Sequence, residues 1–157
     1  MTYPFAGGMA AWVFCALGLA APAAAQESGM VGTGAPNDIY LEVTTGVDGA
    51  PMLSTDEFDL VWGGYYRLNF VCPEEGLDDT TGFHFEAPDL VKNSHIRVVS
   101  VGDIEIYLQG MSFNALECDE QGAVRFSFHP MRRGIYDILV RNQAQPPQEA
   151  HVQVVVE

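Results

Sequence analysis

The chain has 157 residues, of which 21 are acidic and 7 are lysine or arginine, so its formal net charge at pH 7 is −14. This length is typical of one domain, and so negative a charge repels nucleic-acid phosphates and anionic lipid surfaces. We therefore exclude nucleic-acid binding. Acidity alone does not separate a protein with cationic partners, metal ions included, from one that is simply soluble.

The first 25 residues are almost free of charge and contain an apolar run from about Met9 to Leu19. Ala23 and Ala25 form an A-x-A cleavage signal, which predicts a secretory signal peptide cut after Ala25. The run is short for a membrane span, although the lack of Lys and Arg near its start leaves a retained anchor as the alternative. We expect residues 26–157 to be periplasmic or secreted, without a membrane span.

Cysteine usage fits an exported protein. Cys15 leaves with the predicted signal peptide, so Cys72 and Cys118 remain. An even pair in an oxidising compartment favours one disulfide. Alternation along "YYRLNFVC" and "NALEC" places each cysteine on the apolar side of its strand, which supports the pairing. A thiolate metal or redox pair is the alternative, but close C-x-x-C spacing is lacking.

After a flexible, glycine-rich lead-in over residues 26–37, one domain is predicted over residues 38–157. Apolar residues recur there with a period of two in "DIYLEV", "DIEIYL", "VRFSF", "GIYDILV" and "HVQVVV". Turn signals such as "DGAP" and "DEQG" separate these runs, and only "APDLVKNS" has the pattern of a short helical turn. Seven to nine short strands predict an all-β, antiparallel Greek-key sandwich or barrel.

From about Phe58 to Glu157 the sequence resembles bacterial exported cupredoxin-like proteins. The resemblance is carried by "GGYYRLNFVC", "FHFEAPDLVKNSHIRVV", "IEIYLQG" and "NALECDEQGAVRFSFHPMRRGIYDI". Its strongest local piece has the form F-x-P-x-R-x-G-x-Y, found at Phe128, Pro130, Arg132, Gly134 and Tyr136. The resemblance implies a cupredoxin-like β-sandwich and says little about activity.

The same resemblance implies that the type-1 copper ligands are missing. In copper-binding relatives the Gly-x-Tyr strand ends in a thiolate ligand, and the next loop supplies a histidine and often a methionine. Val140 stands at the cysteine position, and the following "RNQAQPPQEA" contains no usable ligand. The family's first histidine corresponds either to His84, a candidate metal ligand, or to Phe83 on the opposite strand face. Without a thiolate no blue-copper centre forms, so no cofactor is expected.

A different copper site built from histidine and methionine is a second hypothesis. His129 and Met131 in "HPM" share a face if the strand continues, and His95 and Met111 lie upstream. Imidazole and thioether ligands suit Cu(I), and the composition resembles the ligand set of periplasmic copper chaperones, although the spacings differ. In the alternative interpretation His129 faces solvent, opposite Phe128, and Met131 fills a gap beside the core.

Other clusters indicate no specific chemistry. The loop "CPEEGLDD" has four carboxylates that could hold calcium, but it lacks the D-x-D-x-D-G pattern and is typical of a solvated turn. The arginines of "MRRG" could contact an anionic partner, or cover apolar surface and pair with carboxylates. No motif pairs a nucleophile with a base, so no catalytic residue is assigned and an enzyme ranks last.

These observations predict an exported, non-enzymatic cupredoxin-like binding or interaction module without a type-1 copper site. Its partner would be a periplasmic protein whose identity the sequence does not indicate. A periplasmic copper carrier is the alternative, and in that case copper would be the cargo.

Overall fold

The computed structural model describes residues 29–72, 82–101, 105–109, 112–118 and 121–157, with the backbone alone for residues 105–109 and 112. The predicted signal peptide (1–25), the candidate ligand Met111 and the carboxylates of "CPEEGLDD" lie outside these residues.

Eleven strands and one short α-helix follow one another in the described part of the chain. They are β1 (Asn37–Thr45), β2 (Pro51–Leu53), β3 (Glu57–Leu60), β4 (Tyr66–Val71), β5 (Phe83–Glu86), α1 (Pro88–Lys92), β6 (Ser94–Val101), β7 (Glu105–Gln109), β8 (Ser112–Cys118), β9 (Ala123–Pro130), β10 (Gly134–Asn142) and β11 (Glu149–Val156). A 3-10 helix at Val47–Gly49 connects β1 to β2. Within the described residues, no helix has the length and apolar composition needed to cross a bilayer.

The strands form where apolar and polar residues alternate. In β1, for example, Leu41 and Val43 are buried, whereas Tyr40 and Glu42 between and beside them are exposed. The predicted helical turn is also present. Its helix α1 starts at Pro88, a favourable place for proline because the first helical N–H groups have no partner within the helix.

The strands make two sheets that pack as a β-sandwich. The five-stranded sheet has the order β2-β1-β4-β9-β6, and the six-stranded sheet has the order β3-β11-β10-β5-β8-β7. This confirms the predicted all-β sandwich. Of the nine described strand pairings, two are parallel, β1 with β4 and β3 with β11, so the sheets are mixed and not wholly antiparallel. A parallel pair cannot be closed by a short hairpin, and these strands are indeed far apart in the chain.

The sequence predicted fewer strands than the structure contains. The additional ones include β2, β3 and β5, which have three or four residues each. Such short segments hold too few alternations to be distinguished from loops by periodicity.

The core fills the space between the sheets. β9 contributes Val124, Phe126 and Phe128 from the five-stranded sheet, and Phe70 of β4 meets Phe85 of β5 at a ring-centroid distance of 5.0 Å. Burying a side chain of this kind stabilises the fold by about 1.5–3 kcal/mol. Because side chains alternate, the remaining positions of the same strands form two outer faces, and these carry the polar chemistry of the domain.

Candidate functional site

The predicted metal candidates lie on different parts of the sandwich. His95 of β6 is directly opposite His129 of β9, with ring centroids 6.4 Å apart. Met131 lies in the turn after β9. His84 lies on β5 of the other sheet, where its Nδ1 is 3.7 Å from a carboxylate oxygen of Glu117. Of the described candidates, the structure therefore brings His95 and His129 together and separates them from His84.

His129 is buried, so the interpretation in which its side chain faces solvent was wrong. Only 2% of the residue is exposed, because the turn before β4 covers it. The ring of Tyr65 stacks on the imidazole at 4.6 Å, and the imidazole Nδ1 lies 3.2 and 3.0 Å from the carbonyl oxygens of Gly63 and Gly64. Carbonyl oxygens only accept hydrogen bonds, so Nδ1 carries the proton. Met131 does not fill a core gap either, since it is 43% exposed.

The turn that covers His129 requires a glycine. Gly63 has φ +78°, and a Cβ at this position would lie 2.8 Å from the carbonyl oxygen of Met30. This close approach lets the Gly32 N–H donate to the carbonyl of Gly63 at 2.9 Å. Part of the predicted lead-in is therefore hydrogen-bonded to this turn. The turn shields the imidazole Nδ1 of His129 from water.

The interior positions that the cupredoxin resemblance compares with copper ligands are apolar. Val140 is fully buried and pairs with Phe85. Phe83 is also fully buried, whereas the neighbouring His84 points to the outer face and is partly exposed. Because side chains alternate along a strand, Phe83 points into the core and His84 points outward.

Asn142 organises the loop that follows Val140. Its Nδ2 donates to the carbonyl of Gly49 and to Oε1 of Gln148, both at 2.9 Å. Its Oδ1 accepts from the backbone N–H groups of Ala144 at 3.3 Å and Gln148 at 2.8 Å. A buried amide with four hydrogen bonds stabilises one loop conformation. In the segment that the cupredoxin resemblance compares with the copper-ligand loop, Asn142 therefore has a structural role.

Cys72 and Cys118 form the predicted disulfide. Both residues are buried, and their Cα atoms are 6.1 Å apart. Cys72 directly follows β4 of the five-stranded sheet, and Cys118 ends β8 of the six-stranded sheet. The bond therefore links the two sheets covalently.

The outer face of the five-stranded sheet carries a group of arginines beside aromatic and hydroxyl side chains. We call this group the arginine face, and it consists of Tyr65, Arg67, Arg97, Val98, Ser100, Arg125 and Ser127. Strand pairing explains the grouping. Arg67 lies opposite Ser127, Arg125 lies opposite Ser100, and a β-bulge between Ile96 and Val98 directs Arg97 to the same side.

Tyr65 is the rigid centre of the arginine face. The guanidinium carbon of Arg97 lies 5.1 Å from its ring centroid, a cation–π contact, and His129 stacks on the same ring. The Tyr65 hydroxyl donates to Oγ of Ser127 at 3.4 Å. Because Tyr65 is only 9% exposed, these contacts fix its hydroxyl in one position at the surface.

Asp38 neutralises one of the three arginines. The Arg67 Nε and a terminal guanidinium nitrogen donate to its two carboxylate oxygens at 2.5 and 2.6 Å, and Nδ2 of Asn69 donates at 2.9 Å. These hydrogen bonds lower the pKa of Asp38 from 3.8 to about 2, and the positive charge of Arg125 adds to the effect.

Arg125 has no carboxylate ion-pair partner among the residues that the structure describes. Its side chain borders a cleft of about 160 Å³. The cleft is lined by Pro36, Tyr65, Arg67, Val98, Ser100, Arg125 and Ser127. Two serine hydroxyls and an uncommitted guanidinium therefore border one depression, and such groups donate hydrogen bonds to oxygen acceptors.

The outer face of the six-stranded sheet has the opposite character. Its acidic side chains, which we call the acidic face, are Glu57, Asp59, Glu86, Glu117, Asp137 and Glu149. Arg141 is the arginine of this face, and it donates to Glu86 at 2.7 Å. His151 lies 2.8 Å from Asp137 and is half exposed.

No group of three or more His, Cys, Asp or Glu side chains stands close enough to hold a metal ion within the described ranges. The pair of His95 and His129 would therefore need another kind of ligand to complete a metal site.

Sequence reasoning missed the arginine face, although a signal for it existed. Arg67 and Asn69 in "YYRLNF" and Arg125 and Ser127 in "VRFSFH" occupy the polar positions of two strongly alternating strands. That alternation assigns each residue to an outer face, but it does not indicate that the two strands are neighbours or in which register they pair.

Comparisons with known proteins yield structures only. No family model and no curated protein matches the chain. An auracyanin B structure has 9% identity and a TM-score of 0.45, covering 83% of this chain and 96% of that chain. Dithionite-reduced auracyanin from the photosynthetic bacterium Roseiflexus castenholzii has 12% identity and a TM-score of 0.43, covering 79% of this chain and 99% of that chain. A likeness at this level adds nothing about function; the structure itself shows a β-sandwich of two mixed sheets.

Proposed function

We propose that the protein is an exported, non-enzymatic binding module that contacts a protein partner through its arginine face. One observation carries the proposal. The whole chain has 7 lysines and arginines against 21 acidic residues, yet Arg67, Arg97 and Arg125 share one outer face beside a cleft. In so acidic a protein, a local cationic surface favours an oriented encounter with a complementary partner.

The lining of the cleft favours recognition over catalysis. Its guanidinium groups and serine hydroxyls are hydrogen-bond donors suited to the oxygen atoms of a partner. The buried ring of Tyr65 positions the guanidinium of Arg97 through a cation–π contact, and arginine is among the residue types that dominate the energetics of protein interfaces. This combination suits a surface that binds and releases a partner unchanged.

Export is part of the proposal. Its support is the signal-peptide pattern of residues 1–25 together with the disulfide between Cys72 and Cys118, because disulfides persist mainly in oxidising compartments. The partner is accordingly expected in the periplasm or outside the cell.

A photo-cross-linking amino acid placed on each outer face tests the binding surface. Val98 on the arginine face and Ile135 on the other sheet are 56% and 70% exposed, so they are matched positions. With the full-length chain expressed in an exporting bacterium, we expect one discrete cross-linked protein at position 98, identified by mass spectrometry, and none at position 135. Equal cross-linking at both positions, or none at position 98, would contradict the proposal.

Copper carriage is the second candidate, favoured by the pairing of His95 with His129. Because Nδ1 of His129 donates to glycine carbonyls, its Nε2 holds the lone pair, which is the arrangement of metal-binding histidines. A Cu(I) competition titration of the protein against a chromophoric chelator tests it. Stoichiometric binding that is lost in a His95→Ala, Met131→Leu variant would support carriage, and absence of competition would exclude it. These two side chains are exposed, so the variant keeps the fold.

A further inference from the structure

The strand that borders the arginine face is an open sheet edge. β6 is the last strand of the five-stranded sheet and pairs with β9 on one side; among the described strands none pairs with its other side. It is eight residues long, and most of its residues are exposed. A long edge strand with free backbone N–H and C=O groups is a template for one more strand.

The side chains of β6 suit an added strand. Val98, Val99 and Val101 are 56%, 37% and 42% exposed. Their alternation places Val98 toward the outer face and the other two toward the opposite face. β-Branched side chains at a sheet edge gain favourable cross-strand contacts when a neighbour with similar side chains pairs beside them.

The charges next to this edge select the kind of strand. Arg97 is on β6 itself, and Arg125 lies one strand further in, directly opposite Ser100 of β6. The carboxylate of Asp38 is held by Arg67, on the far side of β9. A strand added to β6 would thus meet two cationic side chains on its outer face, with no neutralising carboxylate among the described residues of β6 or β9.

The geometry points to an extended, acidic segment of a partner protein that pairs with the free edge of β6 and directs its carboxylates toward Arg97 and Arg125. The segment alternates β-branched residues with glutamate or aspartate, so that one row packs beside the exposed valines and the other enters the cleft. This inference deepens the proposed function, since it names the chemistry and the binding mode of the partner at the same surface.

A synthetic peptide tests the pairing directly. We would titrate an eight-residue peptide of alternating valine and glutamate, acetylated and amidated, into the ¹⁵N-labelled protein without residues 1–25. The expected result is chemical-shift change and slowed hydrogen exchange along β6, with no such change along β3. The latter is also an edge strand, but it carries Glu57 and Asp59 and repels the peptide.

Two matched changes separate the parts of the inference. Arg125→Gln should weaken peptide binding about tenfold, whereas Arg141→Gln, which removes the same charge from the other face, should change it less than about twofold. A peptide N-methylated at every amide keeps its charge but has no backbone N–H to donate to the edge of β6, so it should not bind. Equal binding of the N-methylated peptide, or of a peptide with lysine for glutamate, would overturn the inference.

The failure of this inference is distinguishable from failure of the proposed function. If cross-linking at position 98 finds a partner but the acidic peptide leaves β6 unperturbed, the arginine face is a binding surface and the acidic strand is wrong. If position 98 captures nothing in the exporting host, the proposed function itself fails.

Discussion

The two outer faces of this sandwich are built from the same alternation and have opposite chemistry. On the five-stranded sheet, Asn69, Ser127 and His129 are buried, a glycine turn covers His129, and arginines lie on the same face. On the six-stranded sheet, carboxylates and ion pairs stand in solvent. The net charge of the chain sums the charges of both faces, so it does not show that the faces differ. The acidity of the whole chain therefore reflects the acidic face and does not reveal the group of arginines on the other face.

The covalent link between the sheets should have the largest effect on stability. Replacing both Cys72 and Cys118 by serine removes a bond that spans 46 residues of sequence. We expect the free energy of unfolding to fall by about 4 kcal/mol, because the unfolded chain regains the entropy of an open loop. Urea denaturation followed by circular dichroism measures this. A loss below about 1 kcal/mol would mean that packing alone is sufficient to hold the two sheets together.

A pair of histidine variants compares the faces directly. His129→Ala removes a buried ring that stacks on Tyr65 and leaves two glycine carbonyls without their donor, so we expect a loss of about 2–4 kcal/mol. His151→Ala, on the acidic face, breaks only an exposed pair with Asp137 and should cost less than about 0.5 kcal/mol. Chemical denaturation of both variants gives the comparison, and similar losses would contradict the difference in burial.

Asn142→Ala tests the loop at the end of β10. The variant leaves the carbonyl of Gly49 and the N–H groups of Ala144 and Gln148 without their partner, and we expect a loss of about 1–3 kcal/mol. Gln143→Ala is the control, because Gln143 is an exposed neighbour in the same loop. Hydrogen exchange of the loop amides should rise in the first variant alone; unchanged exchange would show that the side chain is dispensable.

Asp38→Asn should have a modest effect on stability that depends on pH. The folded pKa of about 2 lies below the ordinary 3.8, so ionised Asp38 stabilises the fold above the ordinary value and loses this effect as the pH falls toward 2. The side chains of Asp38 and Arg67 are both partly in solvent. We therefore expect the variant to lower the free energy of unfolding by about 1 kcal/mol near neutral pH. The difference between wild type and variant should shrink between pH 4 and pH 2. A constant difference across that range would assign the effect to something other than the charge.

The sequence was sufficient for the sandwich and for the disulfide, because both follow from local alternation. Cys72 and Cys118 lie on the apolar sides of their strands, and that side becomes the core in any β-sandwich. The mixed sheets could not be predicted in the same way. Pairing of β1 with β4 and of β3 with β11 depends on contacts between distant segments. Local periodicity does not indicate which distant segments pair.

The environment of His129 shows the same limit at a single residue. Its position in β9 placed it correctly on the outer face, opposite Phe128, and an outer face is usually solvated. The Gly63–Gly64 turn changes the outcome, because it covers that part of the face. Nothing in the spacing between residues 63 and 129 indicates that they meet. The arginine face was missed for this reason as well.

The parallel pair of β3 and β11 also has a kinetic consequence. β11 lies between β3 and β10, so the six-stranded sheet stays divided until segments from opposite parts of the domain have met. Closing so long a loop is entropically costly before any contact rewards it, and all-β domains with such distant pairings refold in milliseconds to seconds. Pairing of β3 with β11 is therefore expected to be a late event in folding, and until then the edges of β3 and β11 are open to incorrect pairing.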